Sequence, residues 1–227
     1  MSTRKIQFVN NEFYHVYNRG TDKREIFSDG LDFSRFLQSM QEFNGPDPIG
    51  SIYEHTRVKK FGGEASKNSD QGEIEPLVNI VAFCLNQNHY HFLLQQISEK
   101  GIEKFMQRLG TGYTMYFNKK YERTGALFQG VFKAIHVDSN EYLLHVSAYV
   151  NLNFRVHGFG GETSKYRSSW DEYLGVICGK KNQNKICDTD LILGQFRNGQ
   201  DYQEFAENSL RGTLERRGSL EEATLLE

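Results

Sequence analysis

Aromatic and β-branched residues concentrate from Glu12 to Asn18, EFYHVYN, which predicts a strand, and NRGTDK follows as a turn with basic residues. Ser28 and Asp29 then offer caps for a helix through Phe43, whose apolar face combines Leu31, Phe33, Phe36, Leu37 and Met40. Residues 45–76 are polar and glycine-rich, the composition of an exposed, mobile insertion. Leu77–Leu85 and Tyr90–Gln95 read as strands joined by NQNH, and their short separation favours an antiparallel hairpin. A longer helix follows, capped by Ser98, on which Ile102, Phe105, Met106, Leu109, Tyr113 and Tyr116 form one buried stripe and Gly110 and Gly112 are weak points. Ala126–Val137 reads as a further strand with Gly130 as a bulge or close-approach point. Asp138 or Ser139 caps a last helix that carries Tyr142, Val146, Tyr149, Val150 and Asn153 on one face.

This order predicts an α+β fold, a ferredoxin-like antiparallel sheet covered by helices on one side. Beyond Gly158 the chain is expected to leave the sheet: WDEYLG, LILGQF and DYQEFAENSLRGTLERR read as short helical pieces. The organisation expected is a domain over 1–158 and a C-terminal helical extension over 159–227.

With 38% hydrophobic and 25% charged residues in 227, the chain suits a globular protein with one large domain and an appendage. The longest strongly apolar stretch, Leu77–Leu85, is well short of the roughly 20 residues of a membrane helix. No apolar segment with a cleavage site marks the N-terminus, so the cytoplasm is the expected location and no membrane partner is expected. Cys84, Cys178 and Cys187 form no CxxC pair, which argues against a disulfide framework or a zinc knuckle. The net charge of −2 conceals an asymmetry: seven basic against three acidic residues between Glu99 and Lys133, and four against nine from Asp188 onward. A basic centre attracts phosphates, although charge alone equally describes a solvated helix face.

His89-Tyr90-His91 is the sharpest local feature, because residues two apart on a strand project from the same face and two imidazoles can meet one ion. Asn153 is a candidate third ligand, a polar carbonyl on an otherwise apolar and aromatic helix face, and Tyr149 lies one turn earlier. Two surface histidines and a core tyrosine satisfy the same spacing, so periodicity leaves these alternatives open.

Ordered blocks carry more information: FYHVYNRG, LNQNHYHFLL, YFNKKYERTGALFQGVFKA, YLLHVSAYVNLN and SSWDEYLG. In their order and spacing the chain resembles the single-tyrosine HUH transposases, in particular the REP-associated tyrosine transposases, over roughly Glu12 to Gly175. The resemblance implies that His89 and His91 are the paired metal ligands, that Asn153 completes the coordination of Mg²⁺ or Mn²⁺, and that Tyr149 is the nucleophile. Asn18, Arg19 and Gly20 match the block after the first strand. The basic and aromatic segment Tyr113–Lys133 matches a region expected to approach DNA, so Asn18, Arg19, Lys119, Lys120, Arg123 and Lys133 are the candidate DNA-binding residues. Three departures stand out: Asn86-Gln87 where the family commonly has Met-Pro, Phe154 where it often has proline, and Val131, which has no donor, at a position often given to arginine.

The implied activity is cleavage of single-stranded DNA at hairpin, REP-like elements through a 5′-phosphotyrosine intermediate, followed by rejoining. Tyr113, Tyr116, Phe117 and Phe128 are either base-stacking surfaces or core. Monomer and homodimer are both compatible with the sequence. Two other classes compete with the transposase: a non-catalytic nucleic-acid-binding protein of the same fold, and a metal-dependent phosphohydrolase without a covalent tyrosine step.

Overall fold

The first predicted strand is β1, Phe13–Arg19, and its side chains alternate between two cores: Tyr14 and Val16 enter one, Phe13 the other. The computed structural model describes residues 6–50, 52, 75–159, 164–175 and 185–224. Helix α1, Gly30–Glu42, begins at a capping box in which the Asp29 carboxylate accepts from Leu31 N and Asp32 N. Strands β2, Val78–Asn86, and β3, His89–Gln96, form a hairpin with Gln87 and Asn88 between them. Then come α2, Gly101–Lys120, β4, Lys133–Val137, α3, Asn140–Asn151, and α4, Asn153–Val156. The C-terminal part contributes β5, Tyr166–Ser168, α5, Trp170–Tyr173, α6, Asp190–Leu193, and α7, Gly199–Thr224.

The sheet has the order β4-β1-β3-β2-β5 with every neighbouring pair antiparallel. Its first four strands and the intervening α1 and α2 give the β-α-β-β-α-β order of a ferredoxin-like sheet. Alternate residues of β2 and β3 serve different cores. Phe83, Leu85, Tyr90, Phe92 and Leu94 pack with α1 and α2, whereas Ala82, Cys84 and Leu93 pack with α3 and α7.

Helices therefore cover both faces, which corrects the one-sided cover expected above. The chain also returns to the sheet after Gly158: β5 pairs with β2 through Cys84↔Ser168 and Asn86↔Tyr166. The strand expected over 126–137 is confined to Lys133–Val137, because Leu127 and Phe128 turn inward to the first core. Ser98 does not cap α2; its hydroxyl donates to Pro76 O, and the cap position is Lys100, at φ 56°. Leu31 stays 69% exposed rather than joining the α1 face. Most of the expected insertion, and Cys178, lie outside the described residues, while Cys84 and Cys187 are buried free thiols.

Helix α2 runs through both glycines, which differ in their surroundings. A Cβ on Gly112 would lie 2.7 Å from the ring of buried Phe43, whereas one on Gly110 would meet nothing within 4 Å. Gly112 is a close-packing residue and Gly110 an open one. Gly110→Ala should thus raise unfolding stability by up to about 1 kcal/mol, and Gly112→Ala should lower it by about 1–3 kcal/mol. Urea denaturation of the two variants checks this, and equal effects would contradict it.

Candidate functional site

The register of three strands assembles the site. On β3, His89 and His91 share one face; β1 sets Arg19 opposite His89 and Tyr17 opposite His91, and β2 sets Asn86 opposite His89 and Cys84 opposite His91. The Tyr17 ring stacks on His91 at a centroid distance of 5.5 Å and 17°. One diagonal step along β1, His15 Nε2 lies 2.8 Å from His91 Nδ1, so a single proton is shared between the two rings.

Helix α3 brings the tyrosine. Ser139 caps it by accepting from Tyr142 N, and Leu143, Val146 and Val150 bury against the sheet in the second core. Helix α7 fixes its far end: the Tyr202 hydroxyl accepts from Asn151 Nδ2 at 2.8 Å and meets Ser147 Oγ at 3.1 Å. Tyr149 is half-buried, and its ring stands edge-on to His91 at 5.7 Å and to His15 at 5.8 Å. It lines a cavity of about 650 Å³ that also reaches Tyr142, Ser209 and Arg216.

The single continuous helix face expected to carry both Tyr149 and Asn153 is interrupted. Leu152, at φ −102° and ψ 10°, ends α3, and Asn153 opens the short α4. Tyr149 consequently meets His91 and His15, while Asn153 meets the other ligand candidate: its Oδ1 lies 3.2 Å from His89 Nε2 and accepts from Asn86 Nδ2 at 2.8 Å. The Asn153 Nδ2 is buried without a hydrogen-bond partner.

His89 Nδ1 lies 2.7 Å from Asn88 Oδ1, an acceptor, so that nitrogen carries the proton and Nε2 a lone pair. Two lone pairs, His89 Nε2 and Asn153 Oδ1, then face each other at 3.2 Å. Adjacent ligands around an octahedral ion with bonds of about 2.0–2.1 Å are roughly 3 Å apart, so this donor set fits a divalent cation. Among the described residues no three His, Cys, Asp or Glu side chains form a metal cluster, so the set depends on the Asn153 amide oxygen.

Burial acts on the imidazoles. Desolvation lowers His15 from about 6.5 to about 4 and holds His91 well below the ordinary value, with the neighbouring histidines adding to the effect on His91. His89 falls to about 4, chiefly through burial and then the nearby His157, whose ring lies 4.4 Å away. Neutral rings keep the lone pairs that a cation needs.

The candidate DNA-binding residues separate into two groups. Asn18, Arg19 and Lys133 line a cleft of about 550 Å³ with Lys23, His89 and His157. Asn18 is also a structural tie, accepting from Arg19 N and donating to Gly130 O. Lys119, Lys120 and Arg123 sit at the end of α2 and just beyond it, outside that lining. Lys120 makes 2.7 Å ion pairs with Asp29 and with buried Asp32, an internal lock between α1 and α2. Of the aromatics, Tyr113, Phe117 and Phe128 are core residues and Tyr116 packs against them. Sequence reasoning missed His15, Asn86, Asn88 and His157. His15 alone carried a local signal, its place two residues before Tyr17 on the same strand face.

The three desolvated histidines, His15, His89 and His91, give a signed pH dependence. Because the fold lowers their pKa, the unfolded chain binds more protons below about 6.5; their contribution is complete above that pH and is lost as pH falls below it, toward about 4 for His15 and His89. Metal-free protein should thus lose stability over this window, and His15→Gln should flatten the slope by on the order of 1.4 kcal/mol per pH unit. Urea melts at pH 7, 6 and 5 measure both slopes; identical slopes would contradict the assignment.

Residues 70–153 match the family model described as Transposase IS200 like. Among solved structures, a REP-associated tyrosine transposase bound to a REP hairpin aligns with a TM-score of 0.48 at 12% identity, covering 83% of this chain and 93% of that one. No curated protein matches the chain. The matched segment runs from just before β2 through His89 and His91 to Tyr149 and Asn153, so the part of the chain that builds the site is similar to the IS200-like transposases.

Proposed function

We propose that the protein is a divalent-metal-dependent enzyme that nicks and rejoins single-stranded DNA at hairpin, REP-like elements, with Tyr149 as the nucleophile. The transposase family match supports DNA processing in general. The observation that carries the finer reading is a convergence: the half-buried Tyr149 ring edge-on to His91 at 5.7 Å, with Asn153 Oδ1 3.2 Å from His89 Nε2.

In this reading Tyr149 Oη forms a bond to the scissile phosphorus as the P–O3′ bond breaks, giving a 5′-phosphotyrosine and a 3′-hydroxyl, with the phenol proton passing to solvent or the departing oxygen. His89, His91 and Asn153 would hold Mg²⁺ or Mn²⁺, which when bound would supply Lewis-acid polarisation of a nonbridging phosphate oxygen. A phenol with a reference pKa near 10 is a far better leaving group than an alkoxide, so the 3′-hydroxyl can later displace Tyr149 without a nucleotide cofactor. Arg19, Lys23 and Lys133 line the cleft beside His89 and offer cationic contacts to the strand's phosphates. The Tyr149 cavity adjoins this cleft, since His91 and Tyr17 line both spaces. A strand crossing from one to the other would pass the paired histidines.

Incubation of the full chain with labelled hairpin-flanked single strands and Mn²⁺ tests the reading. Wild type should give a covalent protein–DNA adduct, and Tyr149→Phe should lose cleavage by more than about 1,000-fold, as expected when a nucleophile is removed, while holding DNA with similar affinity. Cleavage that survives Tyr149→Phe would favour a phosphohydrolase, and binding without any adduct in wild type a non-catalytic protein. Lys133→Ala and Arg19→Ala should each weaken binding and reduce the salt slope of log K by about one; unchanged slopes in a titration by fluorescence anisotropy would remove the cleft from the DNA path.

A further inference from the structure

We propose that Asn86 is an additional ligand of the divalent cation, through its side-chain oxygen. The inference rests on the metal-dependent reading above and adds a residue to its donor set. Asn86 ends β2, is fully buried, and stands directly across the hairpin from His89. Its side-chain amide lies 3.0 Å from His89 Nε2 and 2.8 Å from Asn153 Oδ1, and those two atoms are 3.2 Å apart. The three atoms form a nearly equilateral triangle. One face of an octahedron around an ion with bonds of about 2.0–2.1 Å has edges of about 2.9 Å, so the triangle has the size of such a face.

As oriented, the Asn86 amide presents its nitrogen to this triangle, and its two hydrogens satisfy both lone pairs, on His89 Nε2 and Asn153 Oδ1. A half-turn of the amide about its last side-chain bond exchanges nitrogen for oxygen at almost the same point. The triangle then holds acceptors alone, an arrangement that is repulsive without a cation and favourable with one. The other end of the amide tolerates either orientation, because it faces the Cys84 thiol at 3.7 Å, a weak donor and a weak acceptor. Asn153 already keeps its oxygen toward this point although its buried nitrogen then lacks a partner. Asn86 thus closes the cradle as a donor when the site is metal-free and would complete it as a ligand when a cation enters.

Mn²⁺ titration of the full-length protein, read by the electron paramagnetic resonance signal of free Mn²⁺, separates this role from that of a plain hydrogen-bond donor. Asn86→Leu should weaken Mn²⁺ binding by about tenfold or more, whereas Asn86→Asp, which offers an oxygen, should bind at least as tightly as wild type. A pure donor role predicts the opposite for aspartate, since its oxygens repel the two acceptors; loss of binding in a folded Asn86→Asp would overturn the proposal. A crystal of the wild type grown with Mn²⁺ decides the case even if a variant fails to fold: Asn86 Oδ1 within about 2.2 Å of the ion supports the assignment, and Oδ1 turned away from the ion with no bond from Asn86 refutes it. His89→Ala is the control for the underlying reading. If wild type binds no Mn²⁺, or His89→Ala binds it as well as wild type, the metal site itself falls and this ligand with it; binding that depends on His89 but not on Asn86 removes Asn86 alone.

Discussion

The antiparallel register of β1, β3 and β2 is the constraint on which the rest depends. Side chains alternate along a strand, so a slip of one residue in β3 would move His89 and His91 to the α1/α2 core and bring Tyr90 out in their place. The hairpin turn pins that register from outside the sheet: the Gln87 carbonyl accepts from Ile26 N and Phe27 N, and the Asn88 carbonyl from Gly20 N. The same turn residue, through its side chain, fixes the tautomer of His89. A connection that in another hairpin would be free to vary is here tied both to the first loop of the chain and to the chemistry of the site.

A second requirement is that the sheet face carrying polar imidazoles be covered by a helix without being sealed. Helix α3 does this with a divided surface, burying Leu143, Val146 and Val150 while leaving Tyr149 half-buried against a cavity. Tyr202 of α7 ties down the end of α3, so the C-terminal helix takes part in positioning the tyrosine although it follows it by some fifty residues in the chain. Burial keeps the imidazoles neutral at ordinary pH, and the break at Leu152 turns Asn153 toward His89. Each feature has a local cause, and their joint effect is to face neutral donors toward one another beside a phenol.

Much of this was legible in the sequence because it is periodic. The His89–His91 pair on one strand face, the Asp29 cap and the four-residue separation of Tyr149 and Asn153 are local patterns, and the structure honours them with the single modification at Leu152. What stayed hidden depends on long-range register. His15 and Asn86 enter the site through cross-strand neighbours rather than sequence neighbours, and β5 is three residues long, held by pairing with β2 instead of by any alternation of its own. The 126–132 stretch has strand-like composition, yet the burial of Leu127 and Phe128 overrides that tendency. Lys120 looked like one more cation in a basic segment; only the fold reveals that Asp29 and Asp32 hold it.

In the proposed reaction one hydroxyl, that of Tyr149, becomes bonded to DNA beside the paired imidazoles that the sheet sets there. Proteolysis of the protein after reaction with a hairpin-flanked single strand, followed by tandem mass spectrometry, measures this directly. The account predicts a nucleotide remnant localised to Tyr149 in the peptide that contains it. A remnant on Tyr142 or Tyr17, both of which line the same cavity, or on a residue outside the cavity, would contradict it.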